Sequence, residues 1–299
     1  TMNFLTEDEN FLAIDESISN FDNSKVVIVS APYEHSVSYG EGTIDGPDAI
    51  LEASAFVEFY DDEFDRELCA EIGIATADPI MFGEAVDQDA LDMIYADVKE
   101  LLDADKFVVT LGGEHTISTA PIKAHFEKYP HMSVLHFDAH SDLREEYEGS
   151  KYSHASIFAR VLEFFPANKL TQVGIRAQCI EESRLIKEKN INTFYASAIR
   201  RGLHGNSWQK AVVDTLSDEV YVSFDVDYFD PAIMPSTGTP EPDGFLYNET
   251  LEIFREMNRQ GKRIIGFDVV ELAPLDGLSH PDILTARLIY KLLNYAFAK

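Results

Sequence analysis

Short apolar runs rich in Val and Ile alternate with longer amphipathic stretches along this chain. The runs predict strands over Lys25–Ser30, Leu68–Ile74, Phe107–Leu111, Ser133–Asp138, Leu170–Ile175, Ile191–Tyr195, Val220–Asp225 and Arg263–Asp268. Several are nearly unbroken, as expected of strands buried on both faces of a parallel sheet. The stretches between them predict helices. One opens at Gly46-Pro47 and runs to about Tyr60, and another covers Asp89–Asp103, with Leu91, Ile94, Val98, Leu101 and Leu102 on one stripe. A third starts at Thr119, with Pro121 in its first turn. Others are expected over Ser156–Phe165, Glu181–Lys189, Ser207–Leu216, Glu249–Arg259 and Pro281–Ala298. Eight strands alternating with helices imply one mostly parallel sheet with helices on both faces. A (β/α)8 barrel competes, because strand count alone does not choose. Either way, chemistry belongs at the C-terminal ends of the strands.

Unusual residues cluster at those ends. Leu111-Gly-Gly-Glu-His115 stops a strand with two glycines and leads His115 toward the next helix. Alone it is a weak signal, since a single histidine is more often packed or solvated than a ligand. In Val134-Leu-His-Phe-Asp-Ala-His-Ser-Asp142, residues His136, Asp138, His140 and Asp142 share parity. Same-parity side chains of an extended chain point to one face. Burying so many ionisable groups together is costly without a metal. In Val222-Ser-Phe-Asp-Val-Asp227, Asp225 and Asp227 again share parity, and two carboxylates so placed repel unless a cation lies between them. Together these clusters offer His115, Asp138, His140, Asp142, Asp225 and Asp227. One divalent ion would leave much of that charge uncompensated, whereas two ions sharing carboxylates would use all six. Oxygen-rich ligation with a minority of imidazole suits Mn²⁺ better than structural zinc. Two such ions ~3.5–4 Å apart can hold a bridging hydroxide near neutral pH. Asp268 and Glu271 end the last strand in carboxylates, and a solvated loop is an equal reading for Glu271. Pro235-Ser-Thr-Gly-Thr-Pro240 lacks the lysine and glycine pattern of a phosphate loop.

Composition narrows the partners. The 299 residues carry a formal net charge of −29, with 53 Asp and Glu against 24 Lys and Arg. Such a chain repels nucleic-acid phosphates and anionic lipids, so neither is an expected partner. Hydrophobic residues make up 45%, enough for a large core rather than a disordered acidic tail. Two separated cysteines, Cys69 and Cys179, cannot build a disulfide framework or a Cys-rich zinc site. No apolar run is long enough to span a membrane, and the polar, acidic N-terminus predicts no signal peptide. A cytoplasmic setting is expected. Thr1, ahead of Met2, is expected to be a cloning remnant.

Gly112-Gly-Glu-His115, Phe137-Asp-Ala-His-Ser-Asp142, Ser223-Phe-Asp-Val-Asp227, Pro235-Ser-Thr-Gly-Thr-Pro240 and Asp268-Val-Val-Glu271 resemble, in order and spacing, the motifs of the ureohydrolases, the family of arginases and agmatinases. The resemblance covers nearly the whole chain. It implies a single catalytic domain over residues 1–299, a three-layer α/β/α fold with an eight-stranded sheet, and hence the open sheet over the barrel. It implies two Mn²⁺, with Co²⁺, Ni²⁺ or Zn²⁺ as substitutes. His115, Asp138, Asp142 and Asp225 resemble the ligands of one ion. Asp138, His140, Asp225 and Asp227 resemble those of the other, with Asp138 and Asp225 bridging. A bridging hydroxide, oriented by Asp142, would attack a guanidinium carbon. Glu271 matches the glutamate that binds the guanidinium, and His154 matches a proton-shuttle histidine for the leaving amine. Thr237 and Thr239 resemble a site-lining, substrate-binding turn. A homo-oligomer, trimer or hexamer, is implied too.

The segment Leu143-Arg-Glu-Glu-Tyr-Glu-Gly-Ser-Lys151 lacks the Thr/Ser/Asn-rich stretch of arginases. Glu145, Glu146 and Glu148 are expected to attract an amine there, so the resemblance favours the agmatinase branch, with agmatine cleaved to putrescine and urea. Arg144 and Lys151 leave guanidinobutyrate, aminopropylagmatine, arginine, guanidine and formiminoglutamate as alternatives. A metal-stabilised, non-catalytic binding protein is the competing class. A two-metal phosphoesterase would need cationic groups that the site segments scarcely supply. The excess acidity itself gives a test. If the field draws a cationic guanidine to the site, kcat/KM for agmatine falls as ionic strength rises; a flat salt profile leaves only a solvated acidic surface.

Overall fold

Val26 and Ile28 pack into one apolar layer, and Val27 and Val29 of the same strand pack into another. This alternation on a continuous apolar run is what a strand covered on both faces requires. In the computed structural model, which describes residues 2–36 and 38–299, that strand is β1 (Val26–Ala31). The expectation about Thr1 lies outside the described residues. The remaining sheet strands are β2 (Ile74–Thr76), β3 (Phe107–Gly112), β4 (Ser133–Phe137), β5 (Leu170–Ile175), β6 (Asn192–Tyr195), β7 (Glu219–Asp225) and β8 (Arg263–Val270). Their order is β2-β1-β3-β8-β7-β4-β5-β6. Every pairing is parallel. The edges β2 and β6 do not meet, so the sheet is open and the barrel is excluded.

Helices cover both faces. Ile253, Phe254 and Met257 of the helix Tyr247–Arg259, with Leu288, Ile289 and Leu292 of the helix His280–Ala296, share a layer with Val26, Ile28, Val222 and Phe224. On the opposite face, Ile94, Val98, Leu101 and Leu102 of the helix Asp87–Asp103 pack on Val27, Val29 and Val108. Ile157, Phe158 and Val161 cover Val134 and Tyr221 on that same side. The three-layer α/β/α expectation is met. No helix among the described residues is long and apolar enough to cross a membrane.

Two expected elements differ. The run Leu68–Ile74 is not one strand: Leu68–Ile72 is a short helix, and β2 starts only at Ile74. A short apolar run cannot be assigned by periodicity alone. Gly73, at φ 66°, supplies the left-handed residue that ends the helix and turns the chain into the sheet. The helix begun at Gly46 ends at Ser54, not Tyr60, because Tyr60–Asp61 pairs with Arg66–Glu67 in a small antiparallel hairpin.

The chain crosses from β3 over two strand positions to β4, then returns through β7 and β8 to fill the gap. The four central strands therefore end side by side, which is where an open α/β sheet forms its crevice. At the end of β3 the backbone passes close to Tyr33: Gly113 N–H donates to Ala31 O at 3.0 Å, and Glu114 N–H to Tyr33 O at 2.9 Å. A Cβ on Gly113 would overlap the Tyr33 carbonyl. Backbone cannot swing aside as a flexible side chain can. Gly113→Ala is therefore expected to lower stability by ~1–3 kcal/mol or more, read from the urea midpoint; an unchanged midpoint contradicts the close approach.

Candidate active site

Each central strand ends in ionisable residues. Beyond β3, Gly113 and Glu114 lead into a 3-10 turn, His115–Ser118. Asp138 directly follows β4, and the chain beyond it carries His140 and Asp142. Asp225 closes β7, and its carboxylate accepts the Asp227 N–H at 2.8 Å. Glu271 follows β8, with its N–H on Gly113 O at 2.9 Å. Asp142 and Glu271 both hold left-handed backbone, at φ 53° and 70°. Such conformations in non-glycine residues gather at functional sites.

The fold brings the six expected ligand residues together. His115 Nδ1 stands 3.1 Å from Asp138 Oδ2, 3.0 Å from Asp142 Oδ2 and 3.4 Å from Asp225 Oδ2. It is buried and makes no hydrogen bond of its own. Its other nitrogen explains why. Nε2 lies 2.9 Å from Ser223 Oγ, whose single hydrogen goes to Asp268 Oδ1. Ser223 must then accept from His115 Nε2–H, so Nδ1 faces three carboxylates either as a lone pair in the neutral ring or through the proton those carboxylates hold on it. A cation among these four groups satisfies all of them, so the residues fit a divalent metal. A second group forms beside it: His140 Nδ1 lies 2.9 Å from Asp227 Oδ2 and 3.4 Å from Asp138 Oδ1. Asp138 thus turns one oxygen to each imidazole. Asp225 approaches this second group only through the Asp227 N–H. His136, with Nε2 2.7 Å from Asp138 Oδ2, also stands within ligand range of the first group.

Above the cluster lies a cavity of about 240 Å³, and Asp142, Asp225 and Asp227 belong to both. Glu271, His154 and Thr239 line it too. Glu271 Oε1 accepts the His115 N–H at 2.6 Å. His154 is held by the segment around Ser36: its N–H donates to Ser36 Oγ at 3.0 Å, its Nδ1 contacts Ser36 O, and its Nε2 lies 3.1 Å from Ser38 Oγ. Thr239 Oγ1 reaches Asp227 Oδ2 at 3.4 Å. Thr237 does not line the cavity; its backbone bridges to Leu272, which turns it toward the end of β8. The expected acids also move. Glu145 is spent on Arg160, and the cavity acids beyond the cluster and Glu271 are Glu182 and Glu241 instead. Arg144 is opposed by Glu182, with Nε 4.0 Å from Oε2.

Sequence reading gave no role to several supporting groups. Glu114 is buried and accepts the N–H groups of His35 and Ser36 at 3.0 and 2.7 Å. It thereby fixes the segment that holds His154. Asp268 collects the hydroxyls of Ser118, Ser223 and Tyr221. Glu114 was visible inside the Gly-Gly-Glu-His motif; Ser36 had no local signal.

A family model described as "Arginase family" matches residues 24–296. An N(1)-aminopropylagmatine ureohydrolase of Synechocystis is 38% identical over 290 residues, covering 94% of this chain and 92% of that one. An agmatinase of Bacillus cereus is 38% identical over 262 residues, 87% of each chain. Among solved structures, the agmatine ureohydrolase of Thermoplasma volcanium superposes with a TM-score of 0.83 at 28% identity, covering 94% of this chain and 92% of its own.

Electrostatics of the cluster are severe without a cation. Burial, then the Asp138 charge, pushes the Asp142 carboxyl up to about 7. Burial likewise lifts Glu271 to about 7, and holds Asp225 well above the usual carboxylate range. Burial opposes charge on His115, but its carboxylate partners outweigh that and raise it well above 6.5. Groups with raised folded-state pKa values bind protons more tightly folded than unfolded, so stability is lost as pH rises through them. Buried His125 and His136, lowered to about 4, act oppositely, but only below about pH 6.5. Metal-free protein should therefore lose melting temperature as pH rises from about 6.5 through 7 and above. Mn²⁺ should raise the melting temperature and flatten that slope. A metal-free melting temperature that is level or rising over this window contradicts the assignment.

Proposed function

The chain belongs to the Arginase family, and we propose that it is a binuclear-metal hydrolase that splits agmatine into putrescine and urea. The observation that carries this reading is the cavity itself. Beyond the residues of the proposed metal sites, three carboxylates line it, those of Glu182, Glu241 and Glu271, against one guanidinium, that of Arg144. A cation is the substrate such a field selects, and an arginine carboxylate is disfavoured.

Two divalent ions, manganese in this reading, would be held by His115, Asp138, Asp142 and Asp225 and by Asp138, His140, Asp225 and Asp227, and they supply an activated water. The protein does the rest. Glu271 pairs with the planar guanidinium; Oε1 is tied to the His115 N–H, which fixes the carboxylate and leaves Oε2 for substrate. Asp142 accepts a hydrogen bond from the attacking water and orients it. The water oxygen bonds to the guanidinium carbon and gives up both its hydrogens, the bond from that carbon to the alkyl nitrogen breaks, and that nitrogen takes up two protons, so the products are urea and an ammonium. His154, on the cavity wall, passes a proton to the departing amine. Thr239 holds the Asp227 side of the site.

A longer cation, N(1)-aminopropylagmatine, is the second reading. Glu241 favours it: the carboxylate is partly open to solvent, and its chain is anchored by Arg176 Nη2 on the Glu241 carbonyl at 3.1 Å. That leaves an acid ready for a second amine. A homo-oligomer and a cytoplasmic setting belong to the same proposal. With Mn²⁺, urea release is expected from agmatine, aminopropylagmatine or both, and not from arginine. Asp138→Ala should abolish it. Glu271→Ala should lower kcat/KM by about 30-fold to several thousand-fold, from the ~2–5 kcal/mol of a truncated charge pair. Release from arginine alone overturns the substrate reading. Full metal loading with no turnover of any guanidine favours a binding protein.

A further inference from the structure

We infer that His136 is a positioning residue for Asp138, not a metal ligand, and that Gln172 sets its tautomer. The inference rests on the proposed metal centre and adds a group that the ligand set leaves out.

The donor accounting leaves one solution. Gln172 Nε2 lies 2.8 Å from the Ser141 carbonyl oxygen and 3.0 Å from His136 Nδ1. A carbonyl only accepts, so the Gln172 atom facing it is the amide nitrogen, and the flipped amide is excluded. Its two hydrogens go to Ser141 O and His136 Nδ1. Nδ1 is therefore an acceptor, and the neutral imidazole carries its hydrogen on Nε2. That hydrogen points at Asp138 Oδ2, 2.7 Å away. Both nitrogens of His136 are thereby used, and neither keeps a lone pair for a metal.

The consequence for Asp138 is symmetrical. Oδ1 accepts the His140 N–H at 2.7 Å, and Oδ2 accepts His136 Nε2–H. Each oxygen has one donor from the protein and still faces a ligand imidazole: His140 Nδ1 at 3.4 Å for Oδ1, and His115 Nδ1 at 3.1 Å for Oδ2. A carboxylate shared between two sites needs both oxygens fixed, and outer donors of this kind tune ligand orientation. His136 has no freedom to turn away. It is fully buried and lies 4.0 Å, centroid to centroid, from the Phe158 ring. Gln172 also grips the chain between His140 and Asp142 through Ser141, so one amide aligns the orienting imidazole and the ligand-bearing segment together.

The test is Mn²⁺ affinity and stoichiometry, by competition with a fluorescent chelator, for the wild type, His136→Gln, His136→Leu and Gln172→Met, each first checked for fold by circular dichroism. Glutamine can place an N–H near the Nε2 position, whereas leucine fills space without a donor. His136→Leu should weaken Mn²⁺ binding roughly 10–100-fold while keeping wild-type stoichiometry at saturation. His136→Gln should stay near wild type, and Gln172→Met should weaken binding in the same direction. Unchanged affinity in His136→Leu overturns the inference. So does loss of one ion in both His136 variants, which would make His136 a ligand. Imidazole ¹⁵N shifts of the metal-free wild type decide the tautomer without any substitution: hydrogen on Nε2 supports the inference, hydrogen on Nδ1 overturns it. A wild type that binds no Mn²⁺ defeats the metal centre instead, and the shifts still decide the hydrogen bond.

Discussion

Four buried carboxylates, Asp138, Asp142, Asp225 and Asp227, crowd the ends of two adjacent strands, and their mutual repulsion is the constraint around which the molecule is arranged. Burial makes each charge costly, and proximity makes the next one costlier. Without a cation the cluster answers by holding protons, as the raised carboxyls of Asp142 and Asp225 indicate. With cations the same groups become a ready ligand set, since the imidazoles of His115 and His140 already face them. The surrounding hydrogen bonds serve that arrangement. Ser223 and Asp268 fix His115, Gln172 and His136 fix Asp138, and the Asp227 N–H fixes Asp225.

Topology supplies the crowding. Four central strands end together because the chain leaves β3, builds the far half of the sheet, and returns to fill the gap. Residues from positions 115 to 271 thus share one crevice, with the long loops 138–153 and 229–246 supplying His140, Asp142, Thr239 and Glu241. The glycines after β3 permit the backbone approach that aims His115 inward, and left-handed backbone at Asp142 and Glu271 turns two acids toward the cavity.

Much of this was legible in the sequence, for physical reasons. Continuous apolar runs gave seven of the eight sheet strands nearly in place, because a doubly covered strand needs no polar face. Parity brought Asp138, His140 and Asp142 to one side, since extended chain alternates strictly. The failures are equally specific. Leu68–Ile74 was too short for periodicity to separate helix from strand. Glu145 was assigned to an amine site by sequence proximity, but Arg160 claims it. Ser36 and His154 are 118 residues apart, and Gln172 and His136 are 36 apart, so no local pattern could join them. His154 stood out only through family resemblance, being otherwise an ordinary loop histidine, whereas Glu271 was already marked by its place at a strand end, with a solvated loop as an equal reading.

Because repulsion among carboxylates holds the account together, the most direct test is calorimetric titration of Mn²⁺ into metal-free protein near pH 7, repeated in buffers of different ionisation enthalpy. Two ions per chain should bind, and binding should release protons, since the cluster must shed the protons it holds in order to ligate. Binding of fewer than two ions, or of two ions without proton release, would contradict it.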